Sequence, residues 1–201
     1  MSVKDIRRNC IIDIAIKMFL KESMADIKIK DIANKARIGE ATFYRYFPNR
    51  ASLITACVTY MQEAIGKHYF AFEKGERGFE KLKVFYHRFY EIFKAHQEYY
   101  KFLSEFDAYC TPSTRKNLEQ YSANMDYFRE VYVTAYEEGL EDGTVREIPD
   151  LDHYYYSTTH ALLSLCKKLA SEGNITKQDE FINKAEEVRT IGDIFLYYLK
   201  A

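Results

Sequence analysis

Three features of the sequence predict an all-α fold. Only three Pro and eight Gly interrupt 201 residues, so helix breakers are sparse. Apolar residues recur at i, i+3, i+4 and i+7 in one segment after another, the spacing of a single buried helix face. No run alternates apolar and polar residues long enough to argue for a strand. The composition, 47% hydrophobic and 29% charged, is that of a globular chain. There is no Trp beside 18 Tyr and 14 Phe, so the aromatic mass must lie in the core, a subunit interface or a cavity wall.

The first helix starts at Ser2, with Asp5 three residues later completing a near-capping box. Its inward face reads Ile11, Ile14, Ala15, Met18 and Phe19. Lys4, Arg7 and Arg8 crowd its beginning, where cations oppose the helix dipole and an external anion would account for them. A short second helix, 28–35, turns Ile29, Ile32, Ala33 and Ala36 inward, and Arg37-Ile38-Gly39 forms a tight connection. Gly39 caps a third helix, 40–47, whose Phe43 and Phe47 face the core at i, i+4. Pro48 stops it. Two short helices around such a turn, preceded by a packing helix, make a helix-turn-helix.

Longer helices follow at 51–72, 79–96, 99–109 and 113–138. Breaks are expected at 73–78, at Cys110-Thr111-Pro112 and at Gly139 to Pro149. A helix from Asp150 or Asp152 to about Ser171, a stop at Glu172-Gly173-Asn174 and a last helix over 176–199 complete the chain. The expected domains are 1–50, a helix-turn-helix head, and 51–201, a helical body.

Charge is divided between them. Residues 1–50 hold 11 Lys/Arg against 6 Asp/Glu, while the rest hold 18 against 24. A basic head on an acidic body is the electrostatic footprint of nucleic-acid binding by the head alone. No apolar run reaches the ~18–20 residues that span a bilayer, and the N-terminus does not read as a signal peptide. A cytoplasmic protein with no membrane partner is expected. Cys10, Cys57, Cys110 and Cys166 are scattered without a CxxC pair, which suggests buried thiols rather than a zinc site or a disulfide framework. His68, His87, His96, His153 and His160 make no HExxH, and no phosphate loop or nucleophile elbow occurs. The expectation is no enzyme, no metal and no cofactor.

The stretch Ile29-Lys30-Asp31-Ile32-Ala33, then Ala36-Arg37-Ile38-Gly39-Glu40-Ala41-Thr42-Phe43-Tyr44-Arg45-Tyr46-Phe47-Pro48-Asn49-Arg50 and Leu53, resembles the DNA-binding signature of the TetR family of bacterial repressors. The close resemblance covers about residues 6–55; beyond them it is one of all-helical architecture. It implies that Tyr44, Tyr46 and Arg50 contact phosphates and that Ala41, Thr42 and Arg45 approach bases. Lys28 stands where the family has a capping Thr, Arg37 where it has a Gly, Gly39 where it has a Ser and Glu40 where a Lys is common. Lys28, Arg37 and Glu40 complete the expected DNA-facing set; Glu40 either accepts from cytosine N4 or repels phosphate.

The resemblance further implies a C-terminal ligand-binding and dimerisation domain. For the effector, the aromatic middle of the chain supplies Phe85, Phe89, Phe102, Phe106, Tyr109, Tyr132 and Tyr136, with His160 nearby, as lining for a hydrophobic or aromatic small molecule. Leu162, Leu163, Cys166, Ile191, Phe195 and Tyr198 are the expected homodimer interface. Together these imply a ligand-responsive regulator, a repressor by family habit, that binds a palindromic double-stranded DNA operator as a homodimer. The alternative is an effector-binding or protein-interaction module whose head has lost useful DNA affinity, with Glu40 as its best support.

Overall fold

A computed structural model of the protein describes residues 2–70, 77–110, 118–171 and 180–201. Among them are nine α-helices and no strand: α1 (Val3–Phe19), α2 (Ile29–Lys35), α3 (Glu40–Tyr44), α4 (Arg50–Tyr69), α5 (Gly78–Ala95), α6 (Gln97–Tyr109), α7 (Glu119–Glu141), α8 (Leu151–Ser171) and α9 (Lys184–Leu199). The expected breaks at Glu73 to Glu76, at Thr111-Pro112 and at Glu172-Gly173-Asn174 lie outside the described residues, as do helix starts near 113 and 176. The chain divides into two compact units, residues 1–64 with 101–124 and residues 65–100 with 125–201.

In the first unit, the Ser2 hydroxyl accepts from Asp5 N at 3.1 Å and the Asp5 carboxylate accepts from Ser2 N at 2.9 Å. This is the expected capping box with Asp in the Glu/Gln role. These bonds hold the Asp5 carboxyl below the usual carboxylate range. The buried face of α1 differs from expectation by one step: Ile11, Ile12, Ala15 and Phe19 are buried, whereas Ile14 and Met18 are half-exposed. Ile12 is drawn in because its carbonyl faces the buried Cys57 of α4, so the rotation of α1 is set by α4 rather than by its own periodicity. From α6, Phe102 packs on Phe19 with ring centroids 5.9 Å apart. Glu105 accepts from the Met24 backbone in the α1–α2 loop.

In the second unit, α5 is central and packs mainly on α9, with α8 beside both. Phe85, Tyr86 and Tyr132 are fully buried. The Tyr86 hydroxyl bonds to Thr158 Oγ1 at 2.7 Å and to Tyr132 Oη at 3.2 Å. Thr158 in turn donates to the Tyr154 carbonyl. Burial pushes the Tyr86 phenol up to about 12 and Tyr132 higher still, so the network stays neutral across the physiological range. A Tyr86→Phe variant leaves the Tyr132 and Thr158 hydroxyls short of a partner. It should cost about 1–2 kcal/mol in urea unfolding with the m-value unchanged.

The end of the chain is tied back. Val145 and Lys200 form an isolated antiparallel bridge, Arg146 N donates to Leu199 O at 2.9 Å, and Ala201 N donates to Thr144 O at 3.2 Å. The same turn caps α5, with Gly78 N donating to Asp142 Oδ2 at 3.0 Å and Phe79 N to Thr144 Oγ1 at 3.3 Å. The Thr144 hydroxyl and the Gly78 and Thr144 amides, with Arg77 nearby, hold the Asp142 carboxyl below the usual range. The expected turn through Gly139 and Gly143 is therefore an anchor for α5 as well as a connection.

Candidate nucleic-acid interface

The head is built by α1, α2 and α3. Lys28 has no acceptor with which to cap α2; instead the Asp31 carboxylate reaches back to Lys28 N at 3.2 Å. Ile32 and Ala33 bury one face of α2, and Phe43 and Phe47 bury one face of the next segment. Each buried Phe contributes about 1.5–3 kcal/mol relative to exposure. Between them Arg37 sits at φ 54, left-handed geometry that costs a non-Gly residue of order 1 kcal/mol. The turn demanded a Gly-like conformation, and Arg37 supplies a cation at that price in strain. Gly39 at φ −72 and ψ 152 is the N-cap of α3. The recognition helix is shorter than expected: it ends at Tyr44, and Arg45 and Tyr46 form a turn before Pro48.

With the Phe pair inward, the opposite side is left to polar groups. Lys28, Arg37, Glu40, Ala41, Tyr44 and Arg45 are exposed, and Thr42 and Tyr46 are half-buried. Tyr44 is 46% exposed although its ring packs edge-on against Phe43 at 5.6 Å. Its hydroxyl and the Arg45 guanidinium are both exposed, the chemistry that meets phosphates and base edges. Glu40 stands at the positive start of α3, where the helix dipole favours a carboxylate.

Arg50 is differently placed. Its Nη1 donates to Ile27 O and its Nη2 to Met24 O, and the guanidinium lies 5.9 Å from the Phe19 ring centroid. The side chain ties the start of α4 to the α1–α2 loop rather than reaching outward. Arg8 is also engaged, packing over the Phe47 ring at 5.1 Å.

The eight effector-site candidates are distributed over both units. Phe102, Phe106 and Tyr109 lie in the first unit, where Phe106 packs on Tyr121 at 5.6 Å. Phe85, Phe89, Tyr132, Tyr136 and His160 lie in the second. There Phe85 and Tyr132 are in ring contact at 5.1 Å, and the Tyr136 hydroxyl accepts from Ile148 N at 2.7 Å. His160 is exposed and packs beside Tyr156. A cleft of about 480 Å³ does exist, in the first unit between α1 and α4, and none of the eight lines it.

Of the interface candidates, Leu162 and Cys166 are wholly buried within the chain. They are intramolecular core, because the face of α8 that carries them is turned inward. Leu163, Ile191 and Phe195 are half-buried and Tyr198 is 51% exposed. Other apolar groups also face outward, Tyr156 on α8 and Ile194 and Tyr197 on α9, the last two 56% and 80% exposed. Among the described residues no cluster of metal-ligating side chains occurs, and no helix is long and apolar enough to cross a membrane.

A short helix, a left-handed turn and a second short helix with polar groups outward define the class: a helix-turn-helix DNA-binding protein. Residues 11–57 match the model of bacterial regulatory proteins of the tetR family. No curated protein sequence matches the chain. Among solved structures, one assigned to a TetR-family transcriptional regulator of Mesorhizobium loti is similar at 14% identity, covering 100% of both chains with a TM-score of 0.72. A tetR-family regulator of Streptomyces coelicolor shares 20% identity over 97% of this chain and 80% of its own, TM-score 0.62. RolR in complex with resorcinol shares 19% over 98% and 88%, TM-score 0.60. Residues 11–57 thus carry a helix-turn-helix segment of the tetR type, and the chain as a whole shares the fold of these solved structures.

Proposed function

We propose that the protein is a ligand-responsive repressor that binds a palindromic operator as a homodimer. Residues 1–50 act as the DNA-binding domain and 51–201 as the effector and dimerisation domain. The observation that carries this reading is the exposed surface of Lys28, Arg37, Tyr44 and Arg45 over a tightly buried Phe43–Phe47 core. A single head reads one half-site, so a two-fold dimer supplies the second. The outward Tyr156, Ile194, Tyr197 and Tyr198 of α8 and α9 favour those helices as the self-complementary face. Resorcinol in RolR and the Phe85, Tyr132 and Tyr155 ring cluster favour a small aromatic effector. Its leverage on DNA binding equals its differential affinity for the DNA-competent and incompetent states. The regulator acts in the bacterial cytoplasm, where its operator is, and its role is non-enzymatic.

Binding to the gene's own upstream DNA across a salt series tests the reading. Arg45→Ala should weaken binding by about 10- to 100-fold, and log K should fall linearly with log salt at about −0.9 per phosphate neutralised. Feeble binding that is indifferent to sequence, for wild type and variant alike, favours a head without useful affinity. The exposed Glu40 and the inward Arg50 are what speak for that second reading.

A further inference from the structure

The α1–α4 cleft is lined by Arg8, Asn9 and Ile12 from α1, by Ser52, Thr55, Ala56, Thr59, Tyr60 and Glu63 from α4, and by Gln120 from α7. Its α4 wall is a helical stripe at i, i+3, i+4 and i+7. Ser52 and Glu63 are eleven residues apart, about 16 Å of helix rise. Arg8, which packs over Phe47, marks the end near the start of α4. Glu63 lies about three turns further along α4, so the lining carries a cation from α1 and a carboxylate from α4.

Ser52 Oγ donates to Asn49 O at 2.7 Å, but the threonine and tyrosine hydroxyls along this groove are unspent. Elsewhere helical threonines donate to carbonyls four residues back, as Thr158, Thr159 and Thr190 do at 2.9, 2.6 and 2.8 Å. Among the described residues neither Thr55 nor Thr59 does so, Tyr60 Oη has no partner, and Arg8 and Glu63 form no salt bridge. Gln120 spends only its amide N–H on Asn124, which leaves its carbonyl. Small side chains, Ala56 and Ser52, keep the floor open.

We infer that this groove binds a short linear zwitterion of peptide type, with its carboxylate at Arg8 and its ammonium at Glu63. An extended peptide advances about 3.3–3.6 Å per residue, so about four residues match the Ser52–Glu63 stretch of α4. The threonine and tyrosine hydroxyls and the Gln120 carbonyl then meet its backbone amides. Because the guanidinium that receives the carboxylate is the one packed over Phe47, occupancy competes with that stacking contact at the end of the recognition segment.

Tetraglycine is the probe, titrated calorimetrically into the full-length protein beside N-acetyl-tetraglycine and tetraglycine amide. The expected result is saturable binding with Kd below about 1 mM, weakened at least about fivefold by blocking either terminus. Glu63→Gln should abolish the penalty for N-acetylation while keeping that for the amide, and Arg8→Lys should reduce only the amide penalty. Absence of saturation, or equal binding of the three peptides, overturns the assignment, and the peptide comparison requires no variant to fold. This arm is independent of DNA binding. Any effect of tetraglycine on operator affinity rests on the proposed regulator function and is measured separately.

Discussion

Gly78→Ala is expected to be the most damaging single substitution in the second unit. A Cβ at position 78 would stand 2.0 Å from Gly139 N, 2.3 Å from Gly139 Cα and 2.7 Å from Ala135 O. All three are backbone atoms of α7, so no rotamer change relieves the clash; α5 and α7 must separate. Separation also pulls Gly78 N off Asp142 and Phe79 N off Thr144. Overpacking against backbone together with lost caps should cost more than about 3 kcal/mol. In a chain of this size that lowers Tm by roughly 6–12 °C. Gly39→Ala is the matched control: nothing lies within 4 Å of its Cβ and its φ is −72. It should cost at most about 1 kcal/mol, through the weaker N-cap. Equal melting of Gly78→Ala and wild type would show that the two helices are not in close contact in solution.

Arg50→Ala should act on stability first and on DNA affinity second. The guanidinium satisfies the Ile27 and Met24 carbonyls with two separate N–H groups, and hydrogen bonds from a charged donor are worth about 1.5–3 kcal/mol each. Removing both should lower head stability by about 2–4 kcal/mol in chemical unfolding. Arg50→Lys separates the roles, because an ammonium retains the charge but does not fork across two carbonyls. The clamp predicts that the Lys variant is also destabilised, by about half as much or more. If the Lys variant is as stable as wild type and binds DNA normally, Arg50 serves as a charge toward phosphate instead.

These two positions illustrate where sequence reading stops. The helix-turn-helix was legible because Phe43 and Phe47, Ile32 and Ala33, Gly39 and Pro48 each signal locally, within one or two turns of chain. The Ser2–Asp5 box and the existence and order of the helices follow from such short-range rules too. Arg50 was not legible as a clamp: its acceptors are backbone carbonyls 23 and 26 residues upstream, and no side-chain pattern encodes a carbonyl. Gly78 drew attention only as a helix break, since a close approach to Gly139, 61 residues later, leaves no local trace.

The same distinction explains the candidate sites. An apolar residue at helical spacing identifies a face, but not what covers it. Leu162 and Cys166 therefore looked the same as Tyr198, though the first two are core and the last is outward. The aromatic set divided between the two units for that reason. The polar α4 stripe from Ser52 to Glu63 read as an ordinary helix until α1 was found beside it with a gap between. Local sequence determined the all-helical class, the caps, the helix-turn-helix and the basic character of the head, because propensity, capping and charge act over a few residues. Tertiary structure alone decided the rotation of α1, the inward turn of Arg50, the Gly78–Gly139 contact and the groove, because each depends on which distant segment packs alongside.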